Sequence, residues 1–265
     1  MVTQKQIKEY LKRVPPMPKP LKETFEFLKI GDLSGAAKAA SSDQAIIFYL
    51  KQVVNSAAYG FKNEVTNPNQ IFSILGVAKA KQLMYAYMVN VISPKKWSFF
   101  KLSKDDFINF QTSLITNWQK IIKEENANEN LLSTASIFSA GVVVADAIFG
   151  EHKDNVELIR EVENLDLNTI LKRVSGVSFE ELITKIVETW GVDESVMKLV
   201  KLSFANEMRL TDKQNGKLAK YLHLLLFYEL SKPVMLEAEV NCFIEFKPEF
   251  VSEVIEKFNE MVGVK

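Results

Sequence analysis

Apolar residues recur three and four positions apart along almost the whole chain. They never alternate over a bounded β-branched run, the ambiguous stretch Cys242–Phe246 excepted. That spacing puts one apolar stripe on each of a series of helices, so the expected fold class is all-α, a multi-helix bundle. Ser42 and Asp43 open a segment with Ile46, Ile47, Leu50, Val53, Val54 and Ala57 on one face, and Gly60 is expected to stop it. Asn67 followed by Pro68 reads as an N-cap with proline at the first helical position. The short helix it starts, carrying Ile71, Phe72 and Leu75, should end at Gly76. A longer helix is expected from Ala78 to Ile92, broken by Ser93-Pro94. Further helices are expected over 105–125, with Phe107, Phe110, Leu114, Trp118 and Ile121 inward, and over 131–149, 151–163, 167–174, 179–190, 194–204, 217–230 and 248–262.

Four of the eight prolines stand in VPPMPKP, Val14–Pro20. Such a run reads as an extended strap joining an N-terminal helix to the body. The expected organisation is helix and strap over 1–20, a helical domain over 21–204 with a weaker boundary near 151–164, and an extension over 205–265 packed on that domain. The N-terminal MVTQKQIKEYLKRV has no apolar core segment, so no signal peptide is expected. Leu131–Phe149 nearly reaches membrane-spanning length, but it carries three serines, a threonine and Asp146 and lacks flanking positive charge, which favours a buried helix. With one cysteine as well, the expected location is cytoplasmic.

Lys and Arg number 33 against 33 Asp and Glu, and the chain has two histidines and one cysteine. The balance argues against a polynucleotide partner, and the basic clusters (Lys5, Lys8, Lys12, Arg13, Lys19 and Lys22; Lys79 and Lys81; Lys95 and Lys96) read as solvated faces. So few histidines and cysteines leave little from which to build a zinc or di-iron site. No phosphate loop fits: Thr211 stands where a glycine should precede Gly216-Lys217. Cys242 reads as an inert buried thiol, His223 as a core histidine satisfied by one hydrogen bond, and His152 as solvated. The adjacent acids Asp105-Asp106, Glu124-Glu125 and Glu180-Glu181 diverge on a helix and form no acid–base pair. Asp146, inside an apolar run, has two readings: with Ser139 it forms a polar pocket wall, or it lies near a helix end facing solvent or a basic neighbour.

VPPMPKP, then NSAAYGF (Asn55–Phe61), then NEVTNPNQIFSILGVAKAKQLMYA (Asn63–Ala86) resemble, in order and spacing, the HDOD domain of bacterial signalling proteins. The resemblance continues through about residue 204 and implies an HD-like helical fold. Asn55, Ser56, Gly60, Leu75 and Gly76 are its structural signature: Gly60 would supply a left-handed turn, Asn55 would bond the following loop, and Ala57 and Ala58 would permit close approach. The family is related to metal-dependent phosphohydrolases. Similarity to their ligand blocks puts Thr112, Ser139, Ala140, Phe179 and Ser203 where histidines and aspartate would stand. The resemblance therefore implies a regulatory or adaptor protein in signal transduction, with no catalytic residues, metal or cofactor, acting on signalling proteins or a small signal molecule. The alternative is a divergent nucleotide phosphohydrolase holding metal through carboxylates such as Asp146 and Glu151.

Overall fold

Proline does not delay the first helix. In the computed structural model, which describes residues 9, 12, 14–56, 60–163, 165–205, 213–240 and 243–263, helix α1 spans Lys19–Lys29 with Pro20 in its first turn. Proline is tolerated there because the first-turn N–H groups have no intrahelical partner. The strap is thus extended only up to Pro18, two residues short of the expected end. Contacts divide the chain into two units: residues 16–91 form one, and 92–265 with the segment before Pro16 form the other. Most of the expected N-terminal helix, Ala57, Ala58 and Cys242 lie outside the described residues.

In the unit 16–91, α1 packs on α2 (Leu33–Ala40). Asp32 caps α2 by accepting Gly35 N–H at 2.8 Å, and Leu21, Phe25 and Leu28 are buried along with Ala36, Ala37 and Ala40. Asp43 caps α3 (Gln44–Val54), as its sequence predicts. The helix stops at Asn55, however, well before Gly60. Asn55 donates Nδ2–H to the carbonyls of Lys51 and Val65 and accepts Val65 N–H at 2.7 Å, which ties the following loop back to the helix end. Gly60 does adopt positive φ (64°), but inside that loop. Asn67 caps α4 (Pro68–Ile92), which is broken at Gly76 by φ 67° and ψ 176°. Leu83 and Met84 point inward, whereas Val91 is exposed.

The other unit begins its helices with α5 (Lys104–Glu124), opened by a reciprocal capping box between Ser103 and Asp106. A 3₁₀ turn (Glu129–Ser133) leads into α6 (Thr134–Glu151). This helix is buried almost all round and contacts α5, α7 (Lys153–Glu163), α8 (Leu167–Ser175), α9 (Phe179–Trp190) and α10 (Glu194–Ser203). Glu129–Glu151 is long and apolar enough to cross a membrane, but 94% of its apolar window is buried inside the fold. Its apolar surface is thus spent on protein contacts, as expected for a core helix. Gly191 ends α9 in the left-handed conformation, and Trp190 Nε1–H donates to Pro15 O at 2.9 Å. After α11 (Lys213–Leu230) comes an unexpected one-turn helix, α12 (Pro233–Glu237). The single helix expected over 248–262 is two, α13 (Pro248–Val251) and α14 (Ile255–Val262), because Val254 at φ −117° breaks the run. Among the described residues there is no strand, including at 243–246.

Candidate functional site

Helices α6, α9 and α10 carry four of the five positions singled out from the sequence. Ser139 and Ala140 are fully buried on α6, Phe179 on α9 and Ser203 on α10. Ser139 Oγ–H turns back to Ala135 O at 3.3 Å, and Ser203 Oγ–H to Val200 O at 2.7 Å. Both hydroxyls thus bond carbonyls of their own helices. Gly141, next to Ala140, lets α9 close on α6: a Cβ there would stand 2.1 Å from Ile183 Cδ1 and 3.0 Å from the Phe179 ring.

Aromatic rings fill the space beyond. Phe179 stacks on Phe243 with centroids 4.4 Å apart and planes 23° apart. Phe243 meets Phe100 edge-on at 5.8 Å, and Phe179 meets Phe204, which in turn meets Phe138 at 5.7 Å. Offset-stacked and edge-to-face pairs of this kind each add about 0.5–1.5 kcal/mol beyond the area they bury. Thr112 does not join this cluster. It is exposed on α5, because the inward stripe of that helix runs through Phe107, Phe110, Gln111, Leu114 and Trp118. The expectation that Thr112 lines the same interior as Ser139 is therefore corrected.

Asp146 follows neither sequence reading. It is 1% exposed, and its carboxylate accepts three backbone N–H groups: Ser98 at 2.8 Å on Oδ2, with Phe99 at 2.9 Å and Phe100 at 2.8 Å on Oδ1. Instead of forming a pocket wall with Ser139 or facing solvent, it anchors the loop ahead of α5. Gly150 permits that approach, since a Cβ there would stand 2.3 Å from Ser98 Cβ.

Several polar groups were not singled out by sequence. Glu229 on α11 is fully buried; it accepts from Ser113 Oγ at 2.8 Å and Asn117 Nδ2 at 3.0 Å, and it pairs with Lys232 at 2.6 Å. The available signal was a glutamate at the end of the apolar run YLHLLLFYEL with a lysine three residues on. His223 is also fully buried. Its Nδ1 lies 2.9 Å from Ser203 O and its Nε2 accepts Lys247 N–H, one bond more than expected. That pairing fixes the proton on Nδ1. Burial holds the imidazole pKa below its usual value, with the Lys247 charge acting in the same direction and the Ser203 bond opposing them. Glu125 holds Lys217 at 2.7 Å and Lys257 at 2.6 Å. Burial alone would raise its pKa, but the two lysines bring it below the ordinary value. His152 sits at the end of α6 and is half-buried. Among the described residues, no three His, Cys, Asp or Glu side chains stand together as a metal site requires.

The signature residues occupy the unit 16–91, with Asn55 bonded to Val65, Gly60 and Gly76 at positive φ, Leu75 buried and Ser56 exposed. Over residues 16–204 the sequence matches the profile of the HDOD domain. The chain belongs to the HDOD family. The match ends at Phe204, so α11–α14 lie beyond the HDOD region. Three crystal structures share the fold. One is an HDOD domain protein of unknown function from Geobacter sulfurreducens (13% identity, TM-score 0.61, covering 98% of this chain and 95% of that one). Another is a protein from Shewanella amazonensis named provisionally as a phosphohydrolase (14%, TM-score 0.64, 97% of each chain). The third, from Marinobacter aquaeolei, is named provisionally as a signal transduction protein (16%, TM-score 0.65, 98% of this chain and 62% of that one). At such identities the likeness establishes the HD-like helical fold of this HDOD chain. No curated protein matches it.

Proposed function

We propose that this HDOD chain is a non-catalytic regulatory module of signal transduction, working through contacts with a partner protein. The observation that carries the reading is the stack of Phe179 on Phe243. A ring from the position that resembles a metal-ligand histidine packs against another ring, beside two serines whose hydroxyls are bonded within their own helices. A two-metal hydrolase needs several nitrogen and oxygen ligands converging on the ions and an open position for water. Of the carboxylates named for a hydrolase, Asp146 already holds three amides with its two oxygens, which speaks against its recruitment as a ligand. Loss of the ligands on a retained scaffold leaves surface recognition as the activity the fold supports, and the name of the Marinobacter neighbour agrees with a signalling role.

The test measures metal content and response on the full chain. Chelator-free protein should hold no stoichiometric Mn²⁺, Mg²⁺ or Zn²⁺, its melting temperature should not rise with added Mn²⁺, and nucleotides and phosphodiesters should not turn over. A metal-dependent rise in melting temperature with turnover lost in Asp146→Asn would sink the reading.

A further inference from the structure

In the unit that carries α5–α14, a cavity of about 720 Å³ opens between the ends of α8, α11 and α12 and the segment before α13. Its floor is apolar, with Leu230 and Ile244 both buried. Its wall is the stacked pair Phe227 and Phe246, with centroids 4.4 Å apart. Phe227 remains 36% exposed and Leu236 46% exposed. A pocket for a small molecule encloses most of its ligand. Here two of the lining side chains, Phe227 and Leu236, stay substantially exposed at the mouth, so an occupant that covers them reaches from the cavity onto the surface. A contiguous apolar patch with a polar rim is the usual mark of a protein interaction site.

The rim has one sign of charge. Asp166 and Glu245 line it, and among the described residues no lysine or arginine does. Asp166 is held in place because its carboxylate accepts both Thr169 N–H at 2.9 Å and Thr169 Oγ–H at 2.6 Å. Glu245 is exposed.

We infer that this groove receives a short segment of a partner protein that inserts one bulky apolar side chain against Phe227 and Phe246 and sets flanking lysines or arginines against Asp166 and Glu245. This rests on the adaptor reading above and names its binding surface. The apolar anchor supplies most of the affinity, because buried aromatic and aliphatic anchors dominate interfaces. The rim carboxylates set the sign of the partner and its on-rate.

Selection of phage-displayed random dodecapeptides on the full chain tests this, with the enriched sequences then synthesised and titrated. Enriched peptides should pair a bulky apolar residue with neighbouring Lys or Arg. Leu236→Glu should weaken them by about tenfold or more. Glu245→Lys should weaken them several-fold at low salt, and Glu26→Lys, on the other unit, should leave them unchanged. Melting temperatures of all three variants should match the parent, since each position is exposed. The inference is overturned if no peptide enriches, if the enriched peptides are acidic or uncharged, or if Leu236→Glu binds them as well as the parent. It is also overturned if sedimentation shows a self-association that Leu236→Glu abolishes, because a second copy then covers the groove. Loss of groove binding in a chain with no metal response removes the groove and leaves the adaptor reading standing. Metal-dependent turnover with groove binding intact does the reverse.

Discussion

Asp146 Oδ1 accepts the backbone N–H of Phe100 at 2.8 Å, across 46 positions of sequence. The same carboxylate takes the amides of Ser98 and Phe99, so one buried charge satisfies three donors of a loop that has no helix of its own. Asp146→Ala leaves all three without this acceptor, and two of them, on Phe99 and Phe100, belong to buried residues. The expected cost is about 3–5 kcal/mol, read from urea unfolding. Asp146→Asn keeps one acceptor oxygen and should cost less. If instead the alanine variant unfolds like the parent, the carboxylate is not the anchor described above.

Phe179 is packed among Phe243, Phe204 and Ile183 and is 1% exposed. Phe179→Ala opens a cavity that the surrounding rings cannot close, and should cost about 3–5 kcal/mol. Phe179→His, which introduces the residue type that the resemblance to metal-dependent phosphohydrolases implies for this position, should also destabilise. It should gain no Mn²⁺-dependent rise in melting temperature, since Ser139 and Ala140 supply no further ligand. A Mn²⁺-dependent rise in that variant would show that the metal geometry persists beneath the aromatic packing.

What the sequence made legible was local. Helix starts at Asp43 and Asn67-Pro68 follow from side chains that bond an amide two or three residues on, the helix expected from 105 starts one residue earlier behind its Ser103 cap, and Asn55 meets the loop its position implies. The exposure of Thr112 was readable too: the stripe through Phe110 and Leu114 already turns position 112 outward. Contacts distant in sequence left no such mark. Asp146 and its amides, or Glu229 and Ser113 116 positions away, meet only because helices from different parts of the chain pack, and no spacing rule encodes that. The proline run misled for a physical reason, since proline both ends extended segments and opens helices.

Glu125 joins α11 and α14 to the end of α5 through Lys217 and Lys257, and Tyr221 Oη–H donates to it at 3.1 Å. Both lysines are close to half exposed, which screens the pairs. Glu125→Gln is therefore expected to cost only about 1 kcal/mol, less at high salt. Its clearer signature should be faster amide exchange in 255–262, with the exchange of α6 unchanged. Because its carboxyl pKa lies below the ordinary 4.5, the stability it contributes is complete above that pH and is lost as pH falls beneath it. The Gln variant should thus show a shallower acid limb.

His223 titrates in a higher window. Its folded pKa lies below the ordinary 6.5, so as pH falls through 6.5 the unfolded chain takes up a proton that the folded chain refuses. Stability is then complete above that pH and declines below it, by at most about 1.4 kcal/mol per pH unit for one proton, until the folded imidazole itself protonates. Protonation would put a second donor at Nε2 against Lys247 N–H and a positive charge beside the Lys247 side chain, breaking the bond that holds the segment before α13. Unfolding free energies measured between pH 6.5 and about 5 should therefore fall in the parent, a range above the window where Glu125 contributes. His223→Gln keeps a donor and an acceptor but no titration. It should be less stable at neutral pH, with a nearly flat profile across the same range. A parent profile as flat as that of the variant would show that the buried imidazole does not resist its proton.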